Sequence, residues 1–164
     1  MDSITIGQAQ KLTSPNPFGL VCSRDEQGNT NLMALSWWTY CSNDPATIAI
    51  CLSKKGHSGS LIRATGEFAL CIVDVALSEA AFKCGTCSGR DVDKAREFGI
   101  ELVPATAISP NVVKESRIVF ECKVADTVAA ADHDIFIGEV AAIHADESKT
   151  ALYAMEGYRR LSPA

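Results

Sequence analysis

Between positions 18 and 73 the chain breaks into short β-type runs, at 19–23, 30–36, 47–52 and 68–73, each cut off before a helical period develops. Turn-forming groups divide them, DEQGN at 25–29 and SNDP at 42–45. A second β block follows, with alternation over 118–125 and a further run over 135–144 after the polar break ADHD at 131–134. Helical stretches are few: 58–65 stopped by Gly66, 77–83, 91–98 with an Asp start and a Gly99 stop, and 147–155. They punctuate the strands without the β-α alternation of a parallel sheet. The pattern predicts a mainly β chain folded as a closed or nearly closed antiparallel barrel with a few peripheral helices.

At 164 residues, 47% of them apolar, the chain has the length of one domain, expected to span 1–164, and enough hydrophobic mass for a core. A formal charge of −5 with dispersed Lys and Arg lacks the footprint of a nucleic-acid or anionic-membrane binder. No apolar run reaches the roughly 20 residues of a membrane helix, and the opening MDSITIGQAQK does not read as a signal peptide. Seven cysteines, several inside apolar runs, fit reduced thiols, so a cytoplasmic location is expected.

Several familiar chemistries drop out. There is no G-x-G-x-x-G after a strand, no G-x-x-x-x-G-K-[ST] and no H-E-x-x-H. GHSGS at 56–60 lacks the second glycine of a nucleophile elbow, Ser60 standing there instead. Cys84 and Cys87 in KCGTCSGR are either a redox dithiol or two incidental loop thiols; no second pair or His at ligand spacing completes a metal site, so none is expected.

Three segments carry more. NTNLMALSWWTYCS at 29–42 places small residues before two Trp, which suits either a strand approached by a flat aromatic ligand or an aromatic core corner. ICLSKKGHSGSLI runs from a strand through Ser53, Lys54, Lys55, Gly56, His57 and Ser58 into a helix; hydroxyls, Lys and free helix amides make a small phosphate seat, against the plain reading of KK as solvated charge. His133 precedes IFIGEV, where it reaches a ligand over a barrel mouth or bonds to Asp132 as a turn histidine.

PNPFGLVCSRDEQGNTN, ALSWWTYCSNDPATIAI, GEFALCIV, SGRDVDKAREFGI, FECKV, DHDIFIGEV and the closing EGYRRL together resemble the flavin reductase-like, FMN-binding split-barrel family, flavoredoxin type. Ala131 and Cys71 stand where that family usually has Gly and Asn. The resemblance implies a homodimer of six-stranded antiparallel, Greek-key-like split β-barrels with FMN, or alternatively FAD, near the subunit interface. It implies that Asn31, Ala34, Leu35, Ser36, Trp37, Trp38 and Ser42 line the flavin ring and that Ser53, Lys54, His57 and Ser58 hold its phosphate. His133 would flank the exposed flavin face as the catalytic group, with Arg90 and Lys94 in a covering loop or simply paired with nearby acids. The function implied is an oxidoreductase moving hydride from NADH or NADPH to flavin and onward to free flavin, a monooxygenase or a redox protein. An FMN electron carrier without nicotinamide turnover, and a flavin-free interaction module, fit the same residues.

Overall fold

A computed structural model describes residues 2–163. Seven strands form one antiparallel sheet: β1 Gly19–Arg24, β2 Thr30–Leu35, β3 Trp38–Asn43, β4 Ala46–Ser53, β5 Glu67–Val73, β6 Ser116–Ala130 and β7 His133–Ala145, in the order β2-β1-β5-β6-β7-β4-β3. Helices α1 Ile6–Leu12, α2 His57–Thr65, α3 Ser78–Cys84 and α4 Lys94–Glu97 lie around it. This is the mainly β split-barrel fold that the run pattern and the resemblance imply, with β3 as a seventh strand.

The inner strand β5, EFALCIV, shows why the sheet has two cores. Its residues alternate between them: Phe68, Leu70 and Ile72 pack with Phe120, Cys122 and Phe136, whereas Ala69, Cys71 and Val73 pack with Phe18, Leu20 and Leu152. A strand buried on both faces must read as a continuous apolar run, which is how 68–73 reads. Each fully buried Phe or Leu contributes about 1.5–3 kcal/mol, and Phe68, Phe136, Leu20 and Leu70 are among the largest such side chains. The long pair β6–β7 is bent by register shifts beside Gly138. A Cβ built at Gly138 would fall 2.6 Å from Phe68 Cζ and 2.8 Å from Cys122 Cβ. Glycine there lets the Phe68 ring lie against the backbone.

Local chemistry accounts for the turns. Asp25 accepts from Asn29 N at 2.7 Å, and Gly28 (φ 91°) closes the β1–β2 hairpin where DEQGN predicts it. The β6–β7 hairpin turns at Ala131 (φ 50°), a left-handed position that explains why glycine suits it better. SNDP is a turn only at Asp44–Pro45, because Ser42 pairs with Thr47 and Asn43 with Ala46.

Two helix expectations need correction. Residues 147–155 are not helical: Asp146 accepts from Ser148 N and Oγ, Arg117 bonds to the carbonyls of Glu147 and Lys149, and Tyr153–Met155 pairs with Asn16–Pro17 and Arg160–Ser162. Leu152 and Ala154, both buried, alternate at the strand period. The expected 91–98 helix is only Lys94–Glu97, because Asp93 rather than Asp91 caps it. The 77–83 expectation is met by α3, Ser78–Cys84, which follows a 3-10 turn over Val75–Leu77. Helix α1, not foreseen, carries its signal in a Thr5–Gln8 capping box and buries none of its residues. No described helix is long and apolar enough to cross a membrane.

Candidate functional site

Strand β4 ends at Ser53, and the chain turns sharply into α2, with Gly56 N donating to Ser53 O at 2.9 Å. Gly56 caps the helix without a side chain, so no side chain occupies the first-turn amides. They lie at the wall of a cavity of about 450 Å³ bounded by Ser53, Lys55, His57 and Ser58 on one side and by residues 85–90 with Lys94 on the other. An uncapped helix N-terminus carries partial positive charge and favours an anion.

The side chains there reinforce that preference. Lys94 is 5% exposed, and its ammonium donates to Cys84 O at 2.6 Å. Burial pulls its pKa down, an effect that Cys87 and Cys84 partly offset. Arg90 bonds to the Lys55 carbonyl at 3.4 Å. Burial, then repulsion from Arg90 and Lys94 against attraction to Asp25, holds His57 below its ordinary value. In a chain of net charge −5 this part of the groove is locally basic.

Two further compartments continue the cavity. One, of about 280 Å³, shares Met33, Ser53 and Gly85 with it and is lined by the 34–37 segment, Cys51 and His133. Trp37 is 43% exposed, and its ring lies 4.9 Å from that of His133 at 34°. His133 Nδ1 is bound to Asp132 at 2.8 Å, which leaves Nε2 as its unengaged nitrogen. The other compartment, about 300 Å³, shares Asn31, His57, Gly89, Arg90 and Lys94 and adds Asp25, Asp91 and Asp93. The whole is one groove, cationic and amide-rich in the middle and apolar with an aromatic wall at one end.

Of the residues named from sequence, Asn31, Ala34, Leu35, Ser36, Trp37, Ser53, His57, Ser58, Arg90, Lys94 and His133 come together along this groove. Trp38, Ser42 and Lys54 do not. The Trp38 ring lies on a separate apolar recess, T-shaped to Tyr40 at 5.3 Å and 6.2 Å from Phe120. Ser42 pairs with Thr47, at the end of β4 opposite Ser53. Lys54 Nζ donates to Ala131 O at 2.6 Å and stands 3.8 Å from Asp134. Its neighbour Lys55 is the lysine on the groove.

Sequence reasoning also passed over Met33, Cys51, Cys87 and Tyr158 as groove residues. Cys84 is buried, and burial pushes its thiol up to about 11, whereas Cys87 lines the cavity. Among the described residues no group of three or more His, Cys, Asp and Glu is placed to hold a metal ion.

Comparison with known proteins agrees with the fold. The flavin reductase like domain model matches residues 12–162. The uncharacterised protein YddH of Escherichia coli (strain K12) is 32% identical over 146 residues, covering 87% of this chain and 77% of that one. An uncharacterised protein of Aeropyrum pernix is 29% identical over 144 residues, 87% of this chain but 55% of its own, so the chain spans little more than half of that relative. The structure of flavoredoxin from Desulfovibrio vulgaris (Miyazaki F) superposes with a TM-score of 0.86 at 26% identity, over 99% of this chain and 93% of that one. With the family model matched over nearly its whole length and the split barrel in place, the chain belongs to the flavin reductase like domain family.

Proposed function

We propose that this chain binds FMN in the groove and passes reducing equivalents into it from NADH or NADPH, as a flavin reductase. The observation that carries the reading is the groove's polarity: a helix N-terminus with Lys55, Arg90 and Lys94 is continuous with the recess beside Trp37. A dianionic phosphate on a flat aromatic ring system needs those two environments side by side. Ser53, Ser58, the α2 amides and the basic side chains would hold the phosphate, and the 33–36 backbone with Trp37 would bear the ring.

FMN, when bound, supplies the two-electron acceptor. The chain's own residues supply positioning and exclude water. His133, oriented by Asp132, borders the open side of the recess. Among the described residues Trp38 Nε1 is buried without a partner, and the Tyr40 ring beside Trp38 is 65% exposed. An orphaned donor beside an uncovered aromatic ring supports a homodimer in which a second copy covers this face.

The test is anaerobic. FMN should be taken up by the purified protein, and NADH or NADPH should then bleach its yellow absorption within seconds. Tight FMN with slow bleaching by both nicotinamides, but fast exchange with a redox protein, would establish the electron-carrier reading instead, which the 26% identity to flavoredoxin favours. No flavin uptake would overturn both. Bound FMN should also slow alkylation of Cys87 about tenfold, because that thiol lines the cavity, and leave exposed Cys41 unaffected. Mass spectrometry of labelled peptides checks this, with buried Cys122, its thiol raised to about 12 by burial, as a silent control.

A further inference from the structure

We infer that Asn31 is a positioning residue: it fixes Ser58 as a hydrogen-bond donor toward the cavity and seats residues 85–90 against the groove through a contact that requires glycine at 89. The inference rests on the reading that the groove takes a flavin phosphate, and it names what organises the phosphate end.

Asn31 stands on β2, between two buried serines. Its Nδ2 donates to Ser58 Oγ at 2.9 Å and to Ser23 Oγ at 3.2 Å, so both amide hydrogens are engaged within the protein. Ser23 and Ser58 are 0% and 2% exposed. Because Ser58 Oγ accepts from Asn31, its own proton is not used in that bond, and no acceptor for it is found among the described residues. Ser58 lines the cavity. A buried hydroxyl proton without an acceptor is costly, and a ligand oxygen in the cavity relieves that cost. Asn31 thereby turns Ser58, which can both donate and accept, into a donor suited to an anion.

The other end of the amide sets the loop. A Cβ built on Gly89 would overlap Asn31 Oδ1 and lie 2.9 Å from its Cγ. Gly89 is not in the left-handed region. Space, not backbone conformation, is what demands glycine there. One side chain therefore pins together β2, the start of α2 and the loop that carries Cys87 and Arg90. With its donors engaged inside the protein, Asn31 acts through Ser58 and the loop rather than by holding the ligand.

The experiment compares FMN with riboflavin, which lacks the phosphate, on wild type, Asn31→Ala, Gly89→Ala and the double variant, with thermal melts of each flavin-free protein. Wild type should prefer FMN. Asn31→Ala and Gly89→Ala should each lower FMN affinity about tenfold while riboflavin changes by less than about twofold. The double variant should be no weaker than the poorer single one, because removing Oδ1 makes room for the new Cβ. Equal losses for both flavins, or additive losses in the double variant, would overturn the inference. Should Asn31→Ala melt too low to assay, Gly89→Ala alone decides, since it displaces the loop with Asn31 intact. Failure of wild type to take up FMN sinks the flavin reading itself and this inference with it, an outcome visible before any variant is made.

Discussion

Glu121→Ala should lower the free energy of unfolding by about 3–5 kcal/mol, measured by urea denaturation, while leaving FMN affinity per folded molecule unchanged. Glu121 lies in the middle of β6, opposite Ala69 and Ala142, with 0% exposure. Its carboxylate accepts from Thr106 N at 3.0 Å, Ala107 N at 2.6 Å and Thr106 Oγ1 at 3.2 Å, and lies 3.2 Å from His144 Nε2. Removing it strands backbone donors in a part-buried place, at about 1–3 kcal/mol each, and leaves a small void. His144, half exposed, can turn to water, so His144→Ala should cost less than about 1 kcal/mol. The backbone bonds therefore dominate over the ion pair.

The same site fixes a pH dependence. Burial pushes the Glu121 carboxyl up, but the amides of Thr106 and Ala107, the Thr106 hydroxyl and His144 together hold it below its ordinary 4.5. A folded-state pKa below the unfolded one gives stabilisation that is complete above about 4.5 and lost as pH falls through the folded value. Glu121→Gln, which keeps the shape and one acceptor, should start less stable than wild type and lose less on acidification. A Glu121→Gln profile as steep as wild type below pH 5 would assign acid sensitivity to other carboxylates.

Most of the fold was legible because its signals are local and repeated. The 68–73 run is apolar throughout since the strand is buried on both sides, and DEQGN closes a hairpin through Asp25 and Gly28 as its composition says. What escaped was set by long-range contacts. Strand β3 is exposed along 39–43 and so lacks the apolar alternation that marks a strand; pairing with β4 alone makes it one. The 147–155 stretch has helix-forming residues, but Asp74 and Arg117 from elsewhere in the chain, with the adjacent Asp146, take its backbone groups. At the site, the strand-to-helix junction was readable from residue types. Which of two adjacent lysines faces the groove was not, because that depends on the β6–β7 turn some 77 residues away in sequence drawing Lys54 to itself.

That difference yields the sharpest binding prediction: Lys55→Ala should weaken FMN about tenfold, and Lys55→Ala with Arg90→Ala roughly a hundredfold, while Lys54→Ala changes FMN affinity less than about twofold. Lys54 serves the hairpin, through the Ala131 carbonyl and Asp134, and Arg63 also pairs with Asp134. Its loss should cost under about 1 kcal/mol of stability, since Arg63 still neutralises the carboxylate. Lys55 and Arg90 lie on the cavity wall beside the α2 amides and are exposed, so their attraction to a phosphate is screened. The losses should accordingly shrink as salt rises, and riboflavin should feel neither substitution. Titration by flavin fluorescence at two ionic strengths reads all of this. If Lys54→Ala instead abolishes FMN uptake and Lys55→Ala does not, the phosphate sits at the β6–β7 hairpin, and the basic cavity at the start of α2 is a solvated surface feature rather than the anion seat.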